Sequence, residues 1–428
     1  MRRPTAVEIG LAASLVLLLV GVWLWQSGPA RPPITDVRVL PARTGAEPEI
    51  ALVTDEAIRL FASREFPRAC DRFGEAVERE PDSPVLRGNV ARCFEGWGWH
   101  ALRAGHAEAA ILLFRQGLRQ APQSDDLLKG LGVAAIHAGR TDLAIEPLET
   151  VLRGHIDTDV ALLLARLYDQ RDDAARAVTH LKRLVAAHPE HVEARRFLEK
   201  LERERAVETG FSREETPHFV VKYRGANDPD GRRVLLRSLE TLYAEIGTRL
   251  MHHPAEKIIA IVYPEERFQE VTRTHDWVGG LFDGKIRLPA EALAGRRDSL
   301  ERLLAHEVTH AIVHQLARGR APRWLQEGLA QHFEGVADEN SLELPRGLTL
   351  AGVEALLTDG EIAKARTGYR TALWLVRDLL QRGGAPAVAD LLSRLGRGES
   401  VTAAVHPVYG LPLKELEAQW RLVLGERD

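Results

Sequence analysis

The sequence predicts a multidomain protein, in which an all-α superhelix of paired helices precedes an α+β domain that ends in a helical subdomain. Three observations support this fold class. Helix pairs with similar closing turns recur between residues 50 and 207, short β-branched runs lie between helices after residue 213, and the pattern beyond Leu348 is helical. A chain of 428 residues is long enough for two such domains and an N-terminal segment.

The N-terminal segment predicts a membrane anchor at 9–26, after a short cytoplasmic stretch at 1–8. Residues Ile9–Gln26 are uncharged and strongly apolar, and Arg2 and Arg3 precede them. Such a run is just long enough to span a bilayer, and its tryptophans suit the membrane interface. We favour an uncleaved anchor over a cleaved signal peptide, whose apolar core would be shorter. The arginines then predict a single-pass inner-membrane protein with its remaining residues on the periplasmic or extracytoplasmic side.

Residues 27–49 are proline-rich and predict a linker, whereas residues 50–207 predict repeated helix pairs. The turns at Pro122 and Pro189 are separated by close to two repeats of about 34 residues. This region resembles tetratricopeptide repeats, and the amphipathic helix at 192–207 would cap their open end. The resemblance implies a surface for a peptide or protein partner, which we favour over a spacer that holds the following domain away from the membrane.

The two cysteines bear on whether the repeats contain a disulfide, and the net charge bears on the class of partner. Cys70 and Cys93 fall on helices that should be neighbours, so in an oxidising compartment they are either a disulfide or two buried thiols, and the sequence leaves both open. A net charge of −4 provides no basic footprint for nucleic acid, so no nucleic-acid partner is expected.

The second domain is predicted at 213–428. The segment Gly280–Leu288 has the alternation of a strand, although a plain hairpin fits it equally well. The other predicted strands are 219–223 and 257–263, and the predicted helices are 231–250, 264–274, 299–316, 322–333, 371–381, 385–394 and 412–424.

The pattern His-Glu-Val-Thr-His, from His306 to His310, lies within the predicted helix 299–316. A helix turns by about 100° per residue, so the two histidines project from one face, where their imidazole nitrogens can bind one zinc ion. Glu307 lies beside them. A carboxylate next to the metal but not bound to it can take a proton from a metal-bound water and pass it to a leaving amine.

A catalytic zinc requires a third protein ligand and one open position. Glu327 is the candidate, because it lies on the predicted helix 322–333 and the preceding loop can reverse the chain. Glu334 lies about two turns further on and could orient a ligand histidine, but exposure is the simpler interpretation. The remaining polar residues nearby are predicted to be solvated or supporting rather than ligands: His314, His332, Arg318, Arg320 and Arg323.

At these motifs the chain resembles the gluzincin metallopeptidases, and most closely the small peptidase MA-like domains. The resemblance covers about 217–428 and implies a zincin-like fold, one Zn²⁺ per chain held by His306, His310 and Glu327, and Glu307 as the catalytic base. Related chains also place an edge strand before the active helix and carry a tyrosine near the position of Tyr369, where its hydroxyl would stabilise an oxyanion. A tyrosine that only anchors its helix fits Tyr369 as well.

These observations predict a membrane-anchored zinc metallopeptidase that hydrolyses peptide bonds in envelope proteins or peptides, with the repeats recruiting the substrate or a partner. Endopeptidase action is favoured, because no Gly-x-Met-Glu-Asn segment, the motif that anchors the substrate amine in aminopeptidases of the N kind, precedes His306. The alternatives are an envelope scaffold with a zinc site of minor catalytic importance and a holdase-like chaperone for exported proteins.

Overall fold

The computed structural model of the chain describes residues 39–40, 48–224, 229–272, 280–337, 349–359 and 361–423. These residues fall into two units, one within Pro29–Leu201 and one within Glu202–Asp428. The predicted anchor at 9–26 lies outside the described ranges. Within those ranges, no helix combines the length and the apolar character that crossing a bilayer requires.

The first unit consists of helix pairs that bury their apolar stripes against one another. A further helix, α9 (Val192–Glu208), follows the pairs, and its Ala194 and Leu201 pack into their core. In the described part of this unit the pairs are α1 (Pro48–Ala62) with α2 (Phe66–Arg79), α3 (Pro84–Arg103) with α4 (Ala107–Gln120), α5 (Asp125–His137) with α6 (Asp142–Gly154), and α7 (Thr158–Gln170) with α8 (Ala174–Ala187).

A residue in the left-handed conformation follows the first helix of each pair. These residues are Arg64 (φ 62°), Gly105 (φ 83°), Gly139 (φ 74°) and Asp172 (φ 60°). Glycine adopts this conformation without strain, which explains the Ala-Gly segments that recur at two of the turns. The repeat seen in the sequence is therefore a repeat of helix-ending turns as well as of apolar stripes.

A disulfide joins the first two helix pairs. The sulfur atoms of Cys70 on α2 and Cys93 on α3 are bonded, and their Cα atoms lie 5.5 Å apart. Both residues pack in a buried apolar cluster with Phe66 and Phe73. Of the two states that the sequence left open, the structure has the disulfide.

Removing this disulfide is expected to loosen the first repeats. In the chain-entropy account, a link across 23 residues stabilises a fold by about 3 kcal/mol. A Cys70→Ser/Cys93→Ser chain should therefore lose amide-exchange protection in α2 and α3, whereas α7 and α8, two pairs away, should keep theirs. Equal protection of the wild-type chain with and without reductant would contradict this expectation.

The described part of the linker lies against α3. Asn89 is fully buried, its Oδ1 accepts a hydrogen bond from the Leu40 N–H at 2.8 Å, and its Nδ2 donates to the Leu40 carbonyl at 2.7 Å. Val39 packs beside the cluster that contains the disulfide. Paired bonds to main-chain groups hold an extended segment whatever its side chains are. The linker is thus tied to the first repeats at this point, which its composition did not predict.

The second unit is built on a mixed sheet whose described strands run in the order β1-β2-β3-β5-β4. β2 pairs parallel with β3 and β3 with β5, while the outer pairs β1–β2 and β4–β5 are antiparallel. The strands are β1 (Ser212–Glu215), β2 (Phe219–Tyr223), β3 (Ile258–Tyr263), β4 (Leu281–Phe282) and β5 (Ile286–Pro289). The segment Gly280–Leu288 is therefore a hairpin whose first strand, β4, forms an edge of the sheet.

Helices cover both faces of this sheet. One face buries Ile286 and Leu288 together with residues of α10 and α13, and the other buries Ile259 and Ile261 against Val207 of α9 and residues of α11. Alternate residues of each strand point to opposite faces, which explains this division. The helices of the unit are α10 (Pro229–Arg249), α11 (Glu265–Thr272), α12 (Glu291–Ala294), α13 (Arg297–Leu316), α14 (Arg323–Glu334), α15 (Leu350–Leu357), α16 (Ile362–Gly396), α17 (Val401–Tyr409) and α18 (Leu413–Val423).

The predicted fold class is confirmed: helical repeats precede a unit with a small mixed sheet and a helical C-terminal part. Two predicted helices, 371–381 and 385–394, are the two arms of α16, which changes direction at Gly384 (φ 69°). β1 and α17 were not predicted. β1 is short and highly charged, so it shows no apolar alternation, and α17 contains Pro407, which weakens a helical pattern.

Candidate metal centre

Helix α13 places both histidines of the motif in the interior. His306 and His310 are buried, and their Nε2 atoms lie 3.1 Å apart, one helical turn from each other. Their rings are inclined at 70°. Apolar residues of α13, such as Leu304 and Val308, pack into the core, and this packing fixes the direction in which the two imidazoles project.

Helix α14 brings Glu327 to the same point. The chain reverses at Arg318 and Gly319, whose φ angles are 50° and 70°. The main-chain N–H of Trp324 donates to the Glu354 carboxylate of α15 at 2.9 Å, so a neighbouring helix caps the start of α14. Glu327 is 0% exposed, and its Oε2 lies 3.7 Å from Nε2 of His306 and 3.6 Å from Nε2 of His310.

The donor atoms of these residues fit a metal ion. Neither carboxylate oxygen of Glu327 has a hydrogen-bond partner among the described residues, although both are buried. One ligand atom from each of His306, His310 and Glu327 lies within 4.8 Å of the others. A tetrahedral zinc ion with bonds of about 2.0–2.1 Å separates its ligands by about 3.3 Å, close to the three separations seen here. The site can hold a cation that satisfies all three groups at once.

Glu307 lies beside this group with its carboxylate partly unengaged. The side chain is 4% exposed, and its Oε2 has no hydrogen-bond partner in the described part of the chain. Burial raises the pKa of the Glu307 carboxyl, against the opposing effect of the two imidazoles. A Cβ atom on Gly280, just before β4, would lie 3.0 Å from Glu307 Oε1. The missing side chain at Gly280 therefore leaves room for this carboxylate.

Glu334, for which exposure was the simpler of two interpretations, contacts a histidine of the group. Its Oε2 lies 2.9 Å from Nδ1 of His306, which turns Nε2 of that ring toward His310 and Glu327. Burial disfavours the charged imidazole, but Glu334 and the nearby carboxylates outweigh it and raise the pKa of His306 to about 9. The two-turn spacing between Glu327 and Glu334 indicated this contact in the sequence, because it puts both glutamates on one face of α14.

Replacing Glu334 by glutamine is expected to weaken zinc binding by about 10–100-fold, the usual effect of removing a carboxylate that orients a ligand histidine. Competition with a chromogenic zinc chelator measures the affinity. Glu301→Gln is the control, since Glu301 lies on α13 but forms an exposed ion pair with Arg297. Equal zinc affinity in the two variants would show that Glu334 does not orient His306.

The remaining candidates lie around this group rather than in it. The His314 ring packs edge-on against Phe282 at 5.5 Å, and burial together with His310 lowers the pKa of His314 to about 4. Tyr369 is buried on α16, where its carbonyl oxygen accepts a hydrogen bond from Gln331 of α14 at 2.9 Å. The role of the Tyr369 hydroxyl stays a prediction.

The basic loop is less solvated than its sequence suggests. Arg323 is buried, with its Nε 3.7 Å from Oε1 of Glu327, and Arg320 donates to the Gly396 carbonyl at 3.0 Å. Both arginines therefore support the turn and the start of α14.

Comparison with known families assigns both parts of the chain. Residues 276–426 match the model of the Peptidase MA superfamily. The chain contains a Peptidase MA domain. Residues 96–157 and 159–191 match models of the tetratricopeptide repeat. The candidate metal ligands His306, His310 and Glu327 all lie within the range matched by the Peptidase MA superfamily.

Comparison with individual proteins adds little to this assignment. No curated protein matches the chain. The crystal structure of the P58(IPK) TPR domain aligns with 89% of this chain and 80% of its own, at 13% sequence identity and a TM-score of 0.29. The Peptidase MA domain and the repeats are therefore identified by their family matches alone.

Proposed function

We propose that this chain is a zinc-dependent metallopeptidase of the gluzincin type that hydrolyses peptide bonds. The observation that carries the proposal is the buried Glu327 carboxylate, without a hydrogen-bond partner among the described residues and facing two imidazole nitrogens at 3.6–3.7 Å. His306, His310 and Glu327 would hold one zinc ion per chain. A zinc ion in such a site polarises a carbonyl and lowers the pKa of its water.

The chain's own residues would handle the proton and the substrate. Glu307 is placed to accept a proton from the attacking water and to deliver it to the leaving amine. Its buried position beside the proposed ligands suits a base that must also act as an acid. The strand β4, which begins beside Glu307, is an edge strand among the described strands, and an extended peptide could add to its outer side as a further strand. Tyr369 is our candidate for the donor to the oxyanion.

Binding along a strand edge does not require a free terminus, so we favour endopeptidase action. We further propose that the protein is anchored in the inner membrane by residues 9–26 and acts on envelope proteins or peptides outside the cytoplasm. The disulfide between Cys70 and Cys93 supports an oxidising compartment. The tetratricopeptide repeats would recruit the substrate or a partner.

The test is zinc content together with cleavage. Full-length chain purified in detergent should contain one zinc by elemental analysis and should cleave an unfolded protein such as casein. A chelator should stop cleavage, and zinc should restore it. Glu327→Gln should lose zinc and activity together, whereas Glu301→Gln should keep both. A wild-type chain without zinc, or one that cleaves casein equally well after chelation, would refute the proposal.

A further inference from the structure

A buried arginine lies on the face of the sheet opposite to α13. Arg287 of β5 is 1% exposed. Its guanidinium donates to Glu204 of α9 at 2.9 Å, to Asp283 in the β4–β5 turn at 2.9 Å, and to the hydroxyl oxygen of Tyr263 at 2.6 Å. The Tyr263 hydroxyl in turn donates to Glu208 of α9 at 2.6 Å. The network therefore joins the end of α9, the end of β3 and the hairpin.

Such a network contributes little net stability, but it fixes the relative positions of the groups that it joins. Burying an arginine costs several kcal/mol, which its carboxylate partners offset only when the hydrogen bonds are well aligned. Apolar residues of similar volume would often stabilise a fold equally well or better. The guanidinium differs from them because its donors have fixed directions. Arg287 thereby sets the distance and the angle between Glu204 on α9 and Asp283 in the turn of the hairpin.

The same hairpin contacts the metal centre on its other face. Leu281 of β4 is the register partner of Arg287. The neighbouring Phe282 lies nearly parallel to the His310 ring, with centroids 6.4 Å apart. Gly280 is so close to Glu307 that a Cβ atom would lie 3.0 Å from its Oε1. The hairpin that Arg287 holds therefore lies directly beside the proposed base and a ligand histidine, where a substrate has to bind.

We propose that Glu204, Arg287 and Asp283 are positioning residues for the peptidase reaction: they hold the β4–β5 hairpin where a bound peptide requires it. This inference rests on the proposed function, because the edge of β4 is the proposed site for substrate backbone. The contacts of the network are with α9, β3 and the hairpin, whereas the metal group stands on α13 and α14. Loss of the network should thus disturb substrate binding and leave zinc in place.

The experiment uses full-length Glu204→Gln and Arg287→Lys chains. Glutamine at position 204 keeps the size and a hydrogen-bond acceptor of glutamate but removes its charge. Lysine at position 287 keeps the positive charge of arginine but lacks the planar set of donors that bonds to two partners at once. Glu215→Gln is the matched control, because Glu215 of β1 forms an exposed ion pair at 2.6 Å with Lys257, the residue just before β3. Amide exchange of the peptide covering 280–289, zinc content, and the KM and kcat for casein-derived peptides are measured for each.

Both test variants should lose about tenfold of the exchange protection in 280–289. Their KM should rise by about tenfold while kcat stays within about twofold, the pattern of lost binding common to ground and transition states. Zinc should remain at one per chain, and Glu215→Gln should match the wild type. Wild-type protection and KM in both test variants would overturn the positioning role. A wild-type chain that cleaves nothing would refute the proposed function, but the exchange measurement would still decide whether the network holds the hairpin.

Discussion

The Glu307→Gln chain is expected to lose peptide cleavage by about 10²–10⁴-fold, the contribution of a positioned general base, while it keeps one zinc. Glutamine has nearly the same shape as glutamate but cannot accept a proton at neutral pH. The carboxylate is not one of the three groups that converge on the metal position, so its loss should not release the ion. The measurements are kcat/KM on fluorescently labelled casein and zinc by elemental analysis.

The control for this variant is Glu301→Gln, which removes a carboxylate from an exposed position of the same helix. It should behave as wild type. Undiminished cleavage by Glu307→Gln would exclude this residue as the base. If the wild-type chain binds zinc but neither it nor the variant cleaves, and both bind a partner equally, the scaffold alternative would be favoured. Suppression of protein aggregation that survives chelation would favour the chaperone alternative.

The parts of this site that the sequence predicts are those that depend on local geometry. His306 and His310 share a helix, and one turn of an α-helix determines their separation. Glu327 follows after a single reversal of the chain, and the glycine and proline of the loop predict that reversal. The helices of the repeats were predictable for the same reason, because each buries an apolar stripe with a helical period.

The parts that the sequence does not predict depend on contacts between distant elements. Arg287 lies in a strand whose neighbours are apolar, and its partner Glu204 precedes it by 83 residues, so no local pattern relates them. The predicted domain boundary at 213 also leaves Glu204 and Glu208 outside the second domain, whereas the second unit of the structure includes both. A fragment that begins at 213 would lack two of the carboxylates around Arg287 and Tyr263.

The glycine that follows Glu327 shows how the packing of two helices can fix the position of a candidate metal ligand. Glycine in a helix interior costs about 1 kcal/mol relative to alanine, so Gly328 needs a reason. A Cβ atom there would lie 2.3 Å from the carbonyl oxygen of Ala372 and 2.5 Å from a methyl carbon of Val376, both on α16. These distances are far shorter than van der Waals contact, so α14 approaches α16 this closely only without a side chain at that position.

The Gly328→Ala chain should therefore be destabilised by about 3 kcal/mol, because α14 and α16 must move apart to admit the methyl group. The movement also displaces Glu327, so zinc affinity should fall with stability. Calorimetric unfolding and chelator competition measure the two effects. Gly295→Ala is the control, since the nearest atom to a Cβ there lies at 3.5 Å and the φ of −74° suits alanine. If Gly328→Ala matched this control in both measurements, the close approach of α14 to α16 would not be what fixes Glu327.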